Sequence, residues 1–171
     1  MFLWICIVVG VVFLDQLTKW LTVIFLDVYE TAPFISWFMD FHHIRNTGAA
    51  WGMFGEPDQR WIFMTLSSVA IIAILLFVFI AKPKSLLLRT ALAFIVGGGI
   101  GNMIDRIFLE YVVDFLRFTF IKFPVFNVAD SFVCVGAAMM VLYILIDTVK
   151  EYKNEKRKTD TTGVNGNGDK A

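Results

Sequence analysis

The chain has 171 residues, 58% hydrophobic, 16% aromatic and only 18% charged, with a net charge of zero. An ordinary soluble domain carries about 25% charged residues, so this composition speaks against one, and no basic patch argues for nucleic acid. The length suits one domain, and Cys6 and Cys134, both inside apolar runs, are too few for a disulfide framework and sit near nothing that resembles a metal site.

Four apolar runs reach or approach the roughly 20 residues a helix needs to cross a bilayer. They cover about 2–26, 61–81, 90–109 and 128–149. The first lacks a basic start and a small-residue cleavage site, so it reads as a permanent helix rather than a removed signal. Asp15 and Lys19 interrupt it four residues apart, acid first, and so share a helical face. They are either an intrahelical ion pair near the membrane edge or part of a functional site. In both cases they should face protein rather than lipid.

Asp27 to Arg60 is the longest loop. Aromatic and β-branched residues from Phe34 to Ile44 predict short strands. His42 and His43 are adjacent, so on a strand they point to opposite faces and are read as structural rather than as a metal pair. Asn46-Thr47-Gly48-Ala49-Ala50-Trp51-Gly52 predicts a tight turn with closely approaching backbone. Taken alone it could be only a turn.

Residues 61–81 form an uncharged span, closed by Lys82-Pro83-Lys84-Ser85 with Arg89 just behind. The third span carries Gly97-Gly98-Gly99-Ile100-Gly101, which lets another helix or a ligand come close. Asn102, Asp105 and Arg106 follow. Asp105 and Arg106 are sequence neighbours and do not face each other on a helix, so each expects a partner elsewhere, in an active site or in Asp15 and Lys19.

Val112 to Ser131 holds two carboxylates, Asp114 and Asp130, in apolar company. An ionised carboxylate there is costly unless paired or put to use. Two carboxylates brought together can share one proton, an arrangement that activates water for amide hydrolysis. Asp130 has a competing reading. Asn127 is a good N-cap for the fourth span, and Asp130 stands three residues on, where a helix N-terminus favours an acid. That accounts for the position of Asp130 but not for Asp114.

The stretch Lys150 to Lys158 is basic on balance, and Thr159 to Ala171, rich in Gly, Asn and Thr, is expected to be disordered. The chain thus divides into a membrane domain over 1–150 and a tail over 151–171. The Lys82–Arg89 connection and the Lys150–Lys158 stretch lie on one side and hold eight Lys/Arg, namely Lys82, Lys84, Arg89, Lys150, Lys153, Lys156, Arg157 and Lys158. The positive-inside rule then makes both termini cytoplasmic and puts Asp114, Asp130 and the long first loop on the other side.

Five motifs occur in order on these four spans: Asp15-Gln16-Leu17-Thr18-Lys19, Asn46 to Gly52, Gly101-Asn102-Met103-Ile104-Asp105-Arg106, Val112-Val113-Asp114-Phe115, and Phe126-Asn127-Val128-Ala129-Asp130. Together they resemble signal peptidase II, the bacterial lipoprotein signal peptidase, over about residues 1–150. The resemblance implies an aspartic endopeptidase of the bacterial cytoplasmic membrane. It implies a fold of four transmembrane helices with a small extracytoplasmic β-element and a mobile loop, for which Phe34–Gly52 and Gly55–Arg60 are the available segments. Its substrates would be diacylglyceryl-modified prolipoproteins, cut on the amino side of the lipidated cysteine. Asp114 and Asp130 match the catalytic dyad. Asp15, Lys19, Asn46, Gly48, Asn102, Asp105, Arg106 and Asn127 match residues placed around dyad and substrate. No metal or other cofactor is called for, membrane lipids are the other partners, and one chain holds every motif, so a monomer suffices.

On this reading one aspartate takes a proton from water and the other donates to the scissile carbonyl. The helix N-terminus and Asn127 favour charge on Asp130, and apolar neighbours favour the proton on Asp114. The alternative class is a proton-coupled carrier or channel subunit, which intramembrane Asp, Lys, Arg and Asn would also suit. It expects ionisable residues along a path through the membrane. Here they cluster toward one face, and the second span has none.

Overall fold

The computed structural model describes residues 2–48 and 60–165. Four helices and three strands follow in the order α1 (Phe2–Phe25), β1 (Thr31–Ile35), β2 (Met39–Asn46), α2 (Arg60–Ala81), α3 (Leu86–Phe108), β3 (Val112–Phe118) and α4 (Val128–Asn165). All four helices are long and apolar enough to cross a membrane. The strands form one antiparallel sheet in the order β1-β2-β3.

α3 is the centre of the bundle. In its most apolar window 44% of the residues are buried, against 6% in α2 and in α4. The glycine run explains how three helices reach it. A Cβ at Gly97 would sit 2.7 Å from the Val11 Cβ of α1, one at Gly98 would meet the Ala129 carbonyl oxygen of α4, and one at Gly99 would lie 3.1 Å from Ile71 of α2. Removing side chains there lets backbones approach, which lipid-immersed helices need because the hydrophobic effect does not drive them together. An apolar core of Trp4, Val8, Val78, Leu88, Leu92, Ala93 and Val96 fills the end of the bundle next to the α2–α3 connection. The polar residues gather at the other end.

Two helix boundaries differ from the sequence expectation. α3 begins at Leu86 rather than near 90, because Ser85 accepts a hydrogen bond from Leu88 N and caps the helix. Arg89 is therefore inside its first turn. α4 runs on to Asn165 instead of ending near 149. Lys, Glu and Arg are good helix formers, so the charged stretch after Lys150 continues the helix. The expected disorder of Thr159 to Ala171 is thus corrected for 159–165, and 166–171 lie outside the described residues, as do Ala49 to Gly52 and the proposed loop segment 55–59.

The sheet is where Phe34–Ile44 was expected to supply strands, but it has a third member. β3 pairs with β2 with Asp40 opposite Arg117 and Ile44 opposite Asp114. The first of these pairs is a bidentate ion pair at 2.9 and 2.7 Å. Such a pair adds little stability at a surface but fixes register. Phe38, Phe118, Phe120, Phe123 and Phe126 pack ring against ring beyond it. His42 shares a 2.8 Å hydrogen bond with Thr31, and His43 Nδ1 donates to the Leu26 carbonyl at 2.9 Å. Both histidines are tied into the scaffold.

Gly98→Ala should lower the thermal midpoint in detergent by an amount equivalent to about 1–3 kcal/mol, the usual cost of overpacking. Gly10→Ala, where a Cβ meets nothing within 4 Å, should leave it unchanged or raised, since alanine is the better helix former. Equal effects at the two positions would show that close approach at Gly98 is not what the glycine provides.

Candidate active site

The site is built on a buried ammonium. Lys19 is 3% exposed, and its Nζ lies 2.9 Å from Asp15 Oδ2 and 3.0 Å from Asp105 Oδ2. Its third hydrogen bond goes to Asn102 Oδ1 at 2.9 Å. An ammonium has three donors, and all three are used. Asp15 and Lys19 share a face because they are four apart on α1, and Asp105 and Asn102 are three apart on α3. The close approach of α1 and α3 at Gly101, where a Cβ would come 2.5 Å from Asp15 Oδ2, brings the two faces together.

Each acid of this cluster then holds a second chain segment. Asp15 Oδ1 accepts from the backbone N–H of Ala129 at 2.9 Å, and Asp105 Oδ2 accepts from that of Val113 at 3.0 Å. Ala129 immediately precedes Asp130, and Val113 immediately precedes Asp114. One buried cation, through two carboxylates, thus fixes the backbone beside both members of the carboxylate pair.

Asp130 sits in the first turn of α4. Asn127 Oδ1 accepts from Asp130 N at 2.9 Å, and Asp130 Oδ2 accepts from Asn127 N at 3.2 Å. This is a reciprocal capping box with Asp in the Glu position. The N-cap reading of the sequence is correct, and it does not compete with a chemical role, because Asn127 reaches further. Its Nδ2 donates to Asp114 Oδ1 at 2.7 Å and to Asn102 Oδ1 at 2.9 Å. Asn127 is fully buried and connects the two carboxylates.

Asp114 stands on β3 opposite Ile44, so Asn46, two residues along β2, is its diagonal neighbour on the same face. Asn46 Nδ2 donates to Asp114 Oδ2 at 2.8 Å. Gly48 N donates to Asn46 Oδ1 at 3.0 Å, an Asx-type turn that keeps the amide nitrogen aimed at Asp114. Asp130 Oδ1 accepts from Asn102 Nδ2 at 2.7 Å. Both carboxylates therefore receive two donors, and burial is what separates them. Asp114 is 1% exposed, whereas Asp130 is half-buried. Burial first, then the charge of Asp130, pushes the Asp114 carboxyl up to about 7, against the bonds from Asn46 and Asn127 and the charge of Lys19. At neutral pH the pair can hold one proton, with a donor and an acceptor side by side.

The structure brings every sequence-predicted site residue into one cluster. Arg106 is half-buried, with its guanidinium 5.9 Å from the Phe63 ring and Asp130, Asp114 and Asp105 as the charges around it. The cation seated on Asp105 is Lys19. Gln16 was missed by sequence reasoning. Its Nε2 lies 2.9 Å from Asp105 Oδ1, 3.1 Å from Gly101 O and 3.2 Å from Asp15 Oδ2. The signal was available: an amide inside an apolar span needs partners, and this one stands next to Asp15.

Comparison with known proteins places this arrangement in context. A family model described as signal peptidase (SPase) II matches residues 7–146. The lipoprotein signal peptidase of Enterococcus faecalis is 40% identical over 144 residues, 82% of this chain and 88% of that one. That of Bacillus pumilus is 40% identical over 151 residues, 87% and 92% of the two chains. Two solved structures described as bacterial membrane enzymes superpose with TM-scores of 0.80 and 0.78, at 30% and 29% identity. They cover 86% and 85% of this chain and are themselves covered over 90% and 94%.

The raised titration of Asp114 has a stability consequence. Its folded value, about 7, lies above the ordinary 3.8. The stability linked to this group is fully present below about pH 4 and is lost as pH rises through about 7. Asp114→Asn cannot ionise, so its melting midpoint relative to wild type should improve between about pH 5 and about pH 8. A difference that stays constant over that range would show that Asp114 is not the buried acid.

Proposed function

The chain belongs to the signal peptidase II family, and we propose that Asp114 and Asp130 are the dyad with which it removes signal peptides from prolipoproteins. It is a multi-pass membrane peptidase of the aspartic class. The observation that carries the dyad is the bridge through Asn127, which bonds Asp114 Oδ1 and caps Asp130 with the same side chain.

In the mechanism, Asp130 is ionised and removes a proton from water. The oxygen of that water attacks the scissile carbonyl carbon while Asp114 donates its proton to the carbonyl oxygen. A neutral tetrahedral diol results, with the proton now on Asp130. Collapse returns the carbonyl, Asp114 recovers a proton from the diol, and Asp130 passes its proton to the leaving amine. Neither residue forms a bond to the substrate. The surrounding amides of Asn46, Asn102 and Asn127 are fixed before the reaction begins, so they need not reorganise as charge moves.

The depth of the site suits a lipid-modified substrate. Asp15 lies ten residues before the end of α1, about 15 Å along the helix axis, yet it bonds the first turn of α4. The dyad therefore lies alongside α1 rather than beyond its end. A diacylglyceryl-modified cysteine can keep its acyl chains in the bilayer while the peptide bond on its amino side meets the aspartates. The basic α2–α3 connection and tail support cytoplasmic termini in the bacterial cytoplasmic membrane, with the dyad toward the opposite face. One chain carries the whole site, in keeping with a monomer.

The direct test is cleavage of a diacylglyceryl-modified prolipoprotein by the purified protein in detergent. Wild type should cut before the lipidated cysteine, and Asp114→Asn and Asp130→Asn should each lose at least ~10²-fold in kcat while still inserting. Near-normal processing by either variant would remove the dyad.

A further inference from the structure

We infer that Lys19 is a positioning residue of this hydrolysis: by fixing the side-chain amide of Asn102 it holds Asp130 as the charged member of the dyad and leaves the shared proton with Asp114. The inference deepens the dyad reading and rests on it.

An asparagine amide has two orientations, related by a half-turn, that differ only in which side donates. For Asn102 the choice is forced. Lys19 Nζ is 2.9 Å from Asn102 Oδ1, and Asn127 Nδ2 is 2.9 Å from the same atom. An ammonium has no acceptor. Asn127 cannot turn its nitrogen away, because its own Oδ1 is engaged by Asp130 N at 2.9 Å. Turning the Asn102 amide would set donor against donor at both contacts. With its oxygen so held, the nitrogen of Asn102 must point at Asp130 Oδ1, 2.7 Å away. The other Asp130 oxygen already faces Asn127 N at 3.2 Å. Asp114 also has a donor on each oxygen, so what sets Asp130 apart is that the amide donating to it is backed by the ammonium of Lys19.

Lys19 reaches Asp130 through one amide, so the ammonium polarises the bond to Asp130 as well as orienting it. Among the described residues Asp114 has no such hydrogen-bonded route to a cation. Its donors are Asn46, held by Gly48 N, and Asn127. The charged groups around this chain are Asp15 and Lys19 from α1, Asp105 and Arg106 from α3, Asp114 from β3 and Asp130 from α4. On β2, Arg45 lies over the Tyr111 ring and His43 bonds the Leu26 carbonyl. α2 carries no charged residue after Arg60. Among the described residues Lys19 is thus the cation bonded to a side-chain amide of the dyad's own network, since Arg106 reaches only the backbone carbonyl of Asn102, at 3.4 Å.

The form that reacts holds one proton, and activity on the alkaline side falls as Asp114 gives that proton up. Lys19 lowers the titration of Asp114, so removing the ammonium must move the alkaline limb to higher pH. The experiment is the pH profile of kcat and KM for prolipoprotein cleavage by wild type, Lys19→Met and Asn102→Leu. Lys19→Met should shift the alkaline limb of kcat upward by about one pH unit and lower kcat roughly 10²-fold, with KM little changed. Asn102→Leu keeps both ion pairs of Lys19, and with them its charge near Asp114, but removes the relay along with the acceptor of Asn127 Nδ2. An Asp130 anion without that donor makes the pair hold its last proton more tightly, so the limb should move the same way by less, and the double variant no further than Lys19→Met. If Lys19→Met does not fold, the profile of Asn102→Leu decides. A loss of kcat with the limb at its wild-type position in Asn102→Leu, or in a folded Lys19→Met, would reduce Lys19 to a structural ion pair and overturn the inference. Activity surviving in Asp114→Asn or Asp130→Asn would instead remove the dyad reading beneath it.

Discussion

A cation buried in a membrane-spanning bundle must be paired, and the rest of the site follows from how Lys19 is paired. Buried ion pairs are poor evidence of stability, since desolvation offsets much of their attraction. Their value here is positional. Asp15 divides its two oxygens between Lys19 and the backbone N–H of Ala129, and Asp105 meets both Lys19 and the N–H of Val113 with one oxygen. A helix start and a strand start, from distant parts of the chain, are thereby held at one cation. Neither segment could be fixed as well by apolar packing, which is non-directional.

The neighbourhood also explains how two like groups acquire unlike tasks. Asp114 and Asp130 each accept two hydrogen bonds from amides, so bonding alone does not distinguish them. Asp114 stands on β3 in a stretch where Val112, Val113 and Phe115 are buried as well. Asp130 lies at a helix N-terminus, where partial positive charge collects. Burial favours the neutral acid at Asp114. The difference comes from secondary structure, a strand for one and a helix start for the other.

Much of this was legible in the sequence because it rests on short-range rules. The spacing of Asp15 and Lys19, the spacing of Asn127 and Asp130, and the lengths of the apolar runs all report local geometry. What was not legible depends on distant partners. Val112 to Phe118 is apolar on both faces, so it lacks the alternation that marks a strand. Only its pairing with β2 makes it one. Gln16 was overlooked because its three acceptors lie on two helices. Gly97 to Gly101 signalled close approach, but not that three different helices would approach three successive glycines. The extension of α4 to Asn165 was missed because a charged stretch was read as solvated tail, when charge and helix are compatible.

The hydrogen bond from Ala129 to Asp15 joins residues 114 positions apart, and it sets an order on the protein's birth. Asp15 enters the membrane with α1, ahead of Asn102 on α3 and Asp130 on α4. Until α4 arrives, Asp15 and Lys19 have each other but no pair of carboxylates to arrange. On the proposed dyad, a chain made only as far as α3 holds no working site, and the precursors that share its membrane meet an active protease only once α4 is in place.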